Sequence, residues 1–264
     1  MQPLAKISLG ALWEETAAFL RAELALVAPV ALLCFGLPMI VLLLAMPVPA
    51  DGRLQPGPWL WWLLPCGLLS MLGSLSVSAL ALRPGASVRE CLAMGLKRMP
   101  TAIGLELLNA ALQAALALPI ALAALAEGSA GGEPGPASLI ANLAGLAFII
   151  WLYVRVLPIW ALLSERPMTP FDALRGSFRA TRGRYGQLLL LRIVGAVAGF
   201  IALMVLVLPI DALFALLGRL PGLSGIANLL GFIATGAVVA ALMAIWTVYV
   251  ARLYRRLEGS ISGT

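Results

Sequence analysis

Residues 188–210 read LLLLRIVGAVAGFIALMVLVLPI, a run of 23 positions in which Arg192 is the only charged residue. A helix needs about 20 consecutive apolar residues to cross the hydrocarbon core of a bilayer. A strand of a membrane barrel would instead alternate apolar and polar residues over about ten positions. The stretch therefore predicts a transmembrane helix.

Five further runs have the same apolar character, and the composition of the whole chain agrees with them. They lie at residues 24–46, 58–82, 101–125, 139–163 and 226–249. Of the 264 residues, 62% are hydrophobic and 11% are charged, whereas about 25% are charged in a typical soluble domain. We therefore predict an all-α polytopic membrane protein, with six transmembrane helices in a single membrane domain over residues 1–264.

Lysine and arginine are unevenly distributed between the two sets of loops. Of the eighteen in the chain, the loops at 47–57, 126–138 and 211–225 hold only Arg53 and Arg219. Positively charged loops remain in the cytoplasm during membrane insertion. An even number of crossings also places both termini on one side, so we expect the termini and the loops around Arg89 and Arg179 to be cytoplasmic.

A short pattern recurs in these two cytoplasmic loops. The two copies read Ser87-x-x-Glu90-x-Leu92-x-x-Gly95-Leu96-Lys97 and Thr169-x-x-Asp172-x-Leu174-x-x-Ser177-Phe178-Arg179. Each begins like a helix N-terminus, with a hydroxyl residue and then an acid three positions later. Apolar residues follow at helical spacing, which predicts amphipathic helices lying in the membrane interface.

Residues 7–19 resemble a third copy of this pattern, with a weaker capping signal. The sequence thus predicts six transmembrane helices as three hairpins, each preceded by a cytoplasmic interfacial amphipathic helix. The repeats would span residues 1–82, 83–163 and 164–264, and repeats of this kind build sites at their interface. Because basic amphipathic loops occur in many polytopic proteins, a chain without true repeats remains the alternative.

Polar residues inside the crossings form the first candidate site. Glu106, Asn109 and Gln113 lie on one face of the third crossing, since residues three and four apart are helical neighbours. At about 1.5 Å per residue, Arg155 and Arg192 lie at the same depth, roughly 6–12 Å below the cytoplasmic surface. A charge in hydrocarbon is costly unless it is paired, so we predict an intramembrane polar cluster in which Glu106 meets Arg155 or Arg192.

This cluster could serve any of three roles. It could pin three helices together, or it could hold an anionic group such as a lipid phosphate, because two arginines exceed one carboxylate by a charge. Alternatively, the two arginines could extend to the head groups along their apolar stems.

Basic residues near the cytoplasmic surface form the second candidate site, which we call the basic collar. Each is worth about 1 kcal/mol near an anionic leaflet, so the collar is a candidate surface for anionic lipid or a protein partner. A merely solvated helix face is the plainer interpretation. The members of the collar are Arg89, Lys97, Arg98, Arg175, Arg179, Arg182 and Arg184.

Small residues and prolines recur inside the crossings. Serines at 70, 74 and 78, and the pair Gly195-x-x-x-Gly199, have the spacing that allows close helix contact, within the bundle or between two copies. Prolines at 29, 38, 119 and 158 are expected to free backbone carbonyls and bend their helices.

Several kinds of chemistry have no support in the sequence. The chain has no histidine, and Cys34, Cys66 and Cys91 are widely spaced, so no metal site, cofactor or catalytic group is predicted. A basic face interleaved with stacking aromatics is missing too, so we expect no nucleic-acid partner.

Residues 155–183 combine Arg155, Pro158, Glu165 and Ser177 with Thr181-Arg182-Gly183. This stretch resembles the bacterial glycerophosphoryl diester phosphodiesterase membrane-domain family, six-helix inner-membrane proteins that include YciC-like proteins. Members often carry tryptophan where this chain has Phe178 and Gly186. The resemblance implies a location in the bacterial inner (plasma) membrane. Some relatives are fused to a phosphodiesterase domain, for which this chain has no room.

These observations lead to one functional expectation and its alternatives. We expect a non-enzymatic multi-pass inner-membrane protein in lipid or envelope homeostasis, whose partners are the phospholipid bilayer and anionic lipids. The first alternative is a transporter or channel for a small or lipidic solute, with the Glu106 face as its binding site. The second is a membrane accessory module to a phosphodiesterase. A membrane-embedded enzyme is the least favoured.

Overall fold

The chain is helical in the residues that a computed structural model describes, which are 8–46, 56–126 and 135–259. Six segments are long and apolar enough to cross a membrane, and they are Gly10–Ala45, Leu60–Leu82, Val88–Pro119, Ser138–Glu165, Tyr185–Leu217 and Ser224–Glu258. The predictions of an all-helical chain and of six such segments are confirmed. Arg53 lies outside the described residues, as do most of the loops at 47–57 and 126–138. Residue 7 of the first amphipathic copy lies outside them too.

Nine α-helices and one π-helical turn make up these described segments. In chain order they are α1 (Leu9–Ala31), the π-turn (Leu32–Gly36), α2 (Leu37–Ala45), α3 (Leu60–Leu82), α4 (Val88–Ala126), α5 (Pro136–Val156), α6 (Ile159–Glu165), α7 (Pro170–Ala180), α8 (Tyr185–Leu217) and α9 (Ser224–Gly259). A helix satisfies all its backbone hydrogen bonds internally, which is the condition for crossing hydrocarbon.

Large apolar side chains remain exposed along these helices, most of all on α8. None of the residues in the most apolar part of α8 is buried inside the bundle, and Ile193, Phe200 and Val205 are more than half exposed. A soluble protein rarely exposes a contiguous apolar surface of this extent. Hydrocarbon, however, solvates such side chains, so this surface is the one expected to face lipid.

Helices α3 and α9 lie at the centre of the bundle. Helix α9 contacts α1, the π-turn, α2, α3, α6 and α8. Helix α3 contacts α1, the π-turn, α2, α4, α6 and α9. Val77 and Leu80 of α3 pack with Val248 and Ala251 of α9, and all four are buried. Helix α8 packs against α9 and α5, so it stands at the edge of the bundle.

Polar contacts join the helices at the end of the bundle where α3 ends and α8 begins, which we call the basic end. Tyr254 donates a hydrogen bond of 2.8 Å to a carboxylate oxygen of Glu165. Arg166 and Glu258 form an ion pair, and Arg256 forms another with Glu15 at 2.6 Å. Because Glu15 lies on the first helix and Arg256 on the last, the start of α1 and the end of α9 meet at the same end of the bundle, as an even number of crossings requires.

The predicted amphipathic segments take three different forms. The third is a separate helix, α7, between Pro170 and Ala180. The first is part of α1, but Glu23 has non-helical dihedral angles, so a kink separates it from the apolar run that starts at residue 24. The second is continuous with its crossing in α4. The structure therefore does not divide α4 into an interfacial helix and a crossing.

Caps start the helices where the sequence pattern predicts them. The Ser87 hydroxyl accepts from the amide of Glu90 at 3.3 Å, and the Glu90 carboxylate accepts from the amide of Ser87 at 3.0 Å. Thr169 caps α7 by accepting from the amide of Asp172. Its hydroxyl also donates to the Asp172 carboxylate at 2.7 Å. The reciprocal capping box is therefore complete before α4 and half formed before α7.

Proline interrupts the fourth crossing, as the sequence predicts. Helix α5 ends at Val156 and α6 begins at Ile159, with Pro158 between them. A proline has no N–H for the helical hydrogen-bond ladder, and the carbonyl of Arg155 lies in the last turn of α5 before this break. The Ser177 hydroxyl of α7 donates to this carbonyl at 2.5 Å, so the break in one helix becomes an attachment point for another.

Candidate functional site

A pocket of about 280 Å³ lies inside the bundle between α3, α4, α5, α6, α7, α8 and α9. Most of its wall is apolar or aromatic, and its polar groups are few and come from different helices. The polar and aromatic residues of the wall are Ser74, Ser78, Glu106, Asn109, Tyr153, Trp160, Arg192, Trp246 and Thr247. Apolar walls with a few convergent polar groups are typical of ligand sites.

Glu106 and Arg192 both lie on this wall but form no ion pair. In the described residues, the ion pairs with nitrogen and oxygen within 4.0 Å are Arg166–Glu258 and Arg256–Glu15. A carboxylate oxygen of Glu106 accepts from the side-chain amide of Asn109 at 3.4 Å. The predicted direct pair between Glu106 and an arginine is therefore wrong, whereas the two side chains do share one pocket.

Aromatic faces surround the guanidinium of Arg192. Its central carbon lies 5.2 Å from the ring centre of Trp246 and 5.9 Å from that of Tyr153. Such cation–π contacts are worth about 0.5–2 kcal/mol each, and they leave the N–H groups unused. Within the described part of the chain no hydrogen bond to the Arg192 side chain is formed, so its five donors stay free for another group.

Arg155 does not belong to this pocket, which corrects the predicted cluster. Its guanidinium donates to the carbonyl of Phe178 at 3.4 Å and to the Thr181 hydroxyl at 3.3 Å. Three rings, those of Trp151, Phe178 and Tyr185, lie 5.8–5.9 Å from its central carbon. A cation at the carbonyl end of α7 is also favoured by the helix dipole. Arg155 therefore fastens α7 to α5.

Gln113 is the second member of the predicted cluster that the pocket does not include. Its side chain is half-buried, but the pocket wall on α4 is made by Leu105, Glu106, Leu108, Asn109 and Leu112. The predicted face of three polar residues thus contributes two of them to the pocket.

Sequence reasoning missed the aromatic and hydroxyl residues of the pocket. The fourth-residue spacing of Ser74 and Ser78 places them on one face of α3, but that spacing is equally typical of helix packing. Gly195 approaches α9 closely, because a methyl group placed on it would come within 2.3 Å of the Trp246 ring. Gly199 has no neighbour within 4 Å of that position. The glycine pair therefore provides one close contact, and that contact holds the ring that faces Arg192.

The structure divides the basic collar into exposed and buried members. Arg184 is only 7% exposed, so its place on the predicted surface is corrected. Arg98 is half-buried, and its Nε atom is buried without a hydrogen-bond partner. The exposed members are Arg89, Lys97, Arg175, Arg179 and Arg182.

The five exposed members have no ion pair or hydrogen bond from their side chains to any described residue. Helix α7 carries two of them, Arg175 and Arg179, and it also contributes Leu174 to the wall of the pocket. Ala173 and Ser177 form the buried side of the same helix. The exposed basic surface therefore begins next to the pocket.

Metal and thiol chemistry have no assembled site in the described ranges. No group of three or more histidine, cysteine, aspartate or glutamate side chains is placed to hold a metal ion there. Cys34, Cys66 and Cys91 are buried and free, and a buried thiol in apolar surroundings is unreactive.

Comparisons of the chain with known protein families, with characterised proteins and with solved structures find no match. We therefore infer a function from the pocket and from the exposed part of the collar.

Proposed function

We propose that this chain is a non-enzymatic multi-pass membrane protein whose exposed collar binds anionic phospholipid. The observation that supports the proposal is a group of five exposed cations at one end of the bundle, which have no ion pair or side-chain hydrogen bond to the described residues. Elsewhere in the basic end, Arg166 and Arg256 are already neutralised by Glu258 and Glu15. The five exposed collar residues have no such carboxylate among the described residues, so an anionic head group can neutralise them.

The size of the expected effect follows from the charge. A basic residue near an anionic surface contributes about 1 kcal/mol, which is roughly a fivefold change in lipid affinity for each residue. Two residues removed together are expected to lower affinity by roughly 30-fold at moderate salt. Because surface charges are screened within about 8–10 Å at physiological ionic strength, the effect should shrink as salt is added.

Native mass spectrometry of the purified protein with phosphatidylglycerol tests this proposal. The variant Arg179→Ala/Arg182→Ala should retain much less of this lipid than the wild-type chain. Arg219→Ala is the matched control, because Arg219 is exposed and follows α8 at its far end. Equal retention by the double variant and by the control would contradict a specific collar.

The orientation and location of the protein are part of the proposal. We infer a bacterial inner-membrane protein with both termini and the collar in the cytoplasm, from the positive-inside rule and from the resemblance to the phosphodiesterase membrane-domain family. A cysteine at Ala180, introduced after replacement of Cys34, Cys66 and Cys91, should react with an impermeant thiol reagent only in inverted vesicles. Reaction in intact spheroplasts would reverse the orientation.

The pocket favours a second candidate function, transport of a small or lipidic solute. Asn109 and Glu106 lie on the wall of a cavity of about 280 Å³. A cysteine at Asn109 in the same background tests whether water reaches this wall. Labelling by a polar, impermeant thiol reagent would support transport, and protection from it would support a closed pocket.

A further inference from the structure

The pocket contains two opposite charges that do not neutralise each other. Glu106 on α4 and Arg192 on α8 line the same cavity, and neither belongs to an ion pair in the part of the chain that the structure describes. Unpaired charges are costly in hydrocarbon. The cost falls if a ligand supplies a partner for each charge, and the sum of the two charges requires that this ligand be neutral overall.

The arginine side of the pocket is suited to a phosphate. Its guanidinium has five N–H donors in a planar fork that matches phosphate oxygens. The rings of Trp246 and Tyr153 hold it by its faces, so the donors at its edge remain available. Arg192 is half-buried, where a charge-assisted hydrogen bond is stronger than in water.

The glutamate side is suited to a primary amine. The carboxylate of Glu106 and the side-chain carbonyl of Asn109 accept hydrogen bonds, and the amide of Asn109 already donates to Glu106. A quaternary ammonium has no N–H to give and is recognised by aromatic faces. Of the three aromatic residues on the pocket wall, Trp246 and Tyr153 are occupied by Arg192, so only Trp160 is left for choline, which favours a primary amine.

We propose that the pocket binds the head group of phosphatidylethanolamine, with its phosphate at Arg192 and its amine at Glu106. The cavity of about 280 Å³ is near the lower limit of small-molecule sites, roughly 300–1,000 Å³. It therefore holds a head group and the start of the chains rather than a whole lipid. The apolar wall from Leu105, Val156 and Met243 favours the lipid over free phosphoethanolamine, which has no apolar part. This inference is independent of the collar.

Lipid competition on the full-length protein tests the proposal. We would measure, by native mass spectrometry, the retention of phosphatidylethanolamine, phosphatidylcholine and phosphatidylglycerol of identical acyl chains at equal concentrations. The wild-type chain should retain phosphatidylethanolamine over phosphatidylcholine by roughly tenfold, the effect of one good charge-assisted pair. Because phosphatidylglycerol is also expected at the collar, its comparison is made in Arg179→Ala/Arg182→Ala, where phosphatidylethanolamine should exceed it by a similar factor. A ratio near one, or a preference for phosphatidylglycerol at this site, would overturn the proposal.

Two variants assign the two halves of the head group. Glu106→Gln should bring the phosphatidylethanolamine to phosphatidylcholine ratio close to one, since the amine loses its carboxylate. Arg192→Gln should abolish the retention of all three lipids at the pocket. An unchanged ratio in Glu106→Gln would overturn the proposal, and this variant decides the matter alone if Arg192→Gln does not fold.

Two further measurements distinguish a lipid site in the pocket from lipid bound at the collar and from a soluble ligand. Arg179→Gln in the collar should lower phosphatidylglycerol retention and leave the phosphatidylethanolamine to phosphatidylcholine ratio unchanged, so the collar and the pocket can fail independently. Free phosphoethanolamine should not displace the lipid at the lipid's own concentration. Displacement at that concentration would identify a soluble ligand and overturn the lipid proposal.

Discussion

Arg155 and Arg192 are both arginines of the predicted intramembrane cluster, and their surroundings differ in kind. Arg155 donates two hydrogen bonds towards α7 and lies against three rings, while its buried Nε has no hydrogen-bond partner in the described residues. Arg192 lies against two rings on the wall of a cavity and donates to no described residue. A charge in a membrane helix therefore has a structural use where neighbouring groups accept hydrogen bonds from it. Where they do not, the charge is available to a ligand.

The largest expected effect on stability comes from replacing Arg155, whose guanidinium donates hydrogen bonds within the protein. Arg155→Met should lower the free energy of unfolding by about 3 kcal/mol, because two hydrogen bonds to a charged group and several cation–π contacts are lost. Titration with sodium dodecyl sulfate, followed by circular dichroism, measures this value. Arg155→Lys keeps the charge but loses the forked guanidinium, so its free energy of unfolding should lie between those of the wild type and Arg155→Met. If Arg155→Met were as stable as the wild type, Arg155 would have no structural use and the contrast with Arg192 would be wrong.

Tyr254 tests whether other satisfied polar groups behave as Arg155 does. Its ring is almost fully buried, and its hydroxyl donates to Glu165 at 2.8 Å. Tyr254→Phe should cost about 2 kcal/mol in the same titration, since a carboxylate loses its hydrogen bond. The matched control is Tyr249→Phe, whose hydroxyl has no hydrogen bond to the described residues. The same loss in both variants would show that the bond itself contributes nothing.

Ser177 sharpens the account of the Arg155 site at the backbone level. Ser177→Ala removes the hydroxyl that bonds the Arg155 carbonyl at the break before Pro158, and it should cost about 1 kcal/mol. Ser70→Ala is a suitable control, because the Ser70 side chain makes no hydrogen bond in the described residues. If the two substitutions cost the same, the attachment of α7 through this carbonyl is not important for stability.

The smallest expected effect on stability belongs to the other arginine. Arg192→Met should change the free energy of unfolding by less than about 0.5 kcal/mol, because the loss of two cation–π contacts is offset by removing a partly buried charge that has no ion pair in the described residues, a replacement that is often neutral or stabilising. The measurement is the titration used for Arg155→Met, so the two variants compare directly. A loss as large as that of Arg155→Met would mean that Arg192 also has a structural use.

The amino-acid sequence is enough to predict a membrane protein with six segments that are long and apolar enough to cross the bilayer. Runs such as residues 188–210 can be solvated only by hydrocarbon or by a core that a chain with 11% charged residues is not built to cover. The sequence pattern also predicts the caps at Ser87 and Thr169 and the interruption at Pro158. Each depends on residues close in the chain, and local chemistry decides whether a helix begins, continues or ends.

Only the tertiary structure decided which charges meet. Depth along a helix placed Arg155 and Arg192 at one level, but it did not give the direction in which each side chain points around the bundle. That direction depends on how α5, α7 and α8 pack, and it brought Arg155 to α7 and Arg192 to the pocket. For the same reason Arg184, which looks like a collar residue in the sequence, is buried. Charge and hydropathy are properties of the sequence, whereas the partner of a charge is a property of the packing.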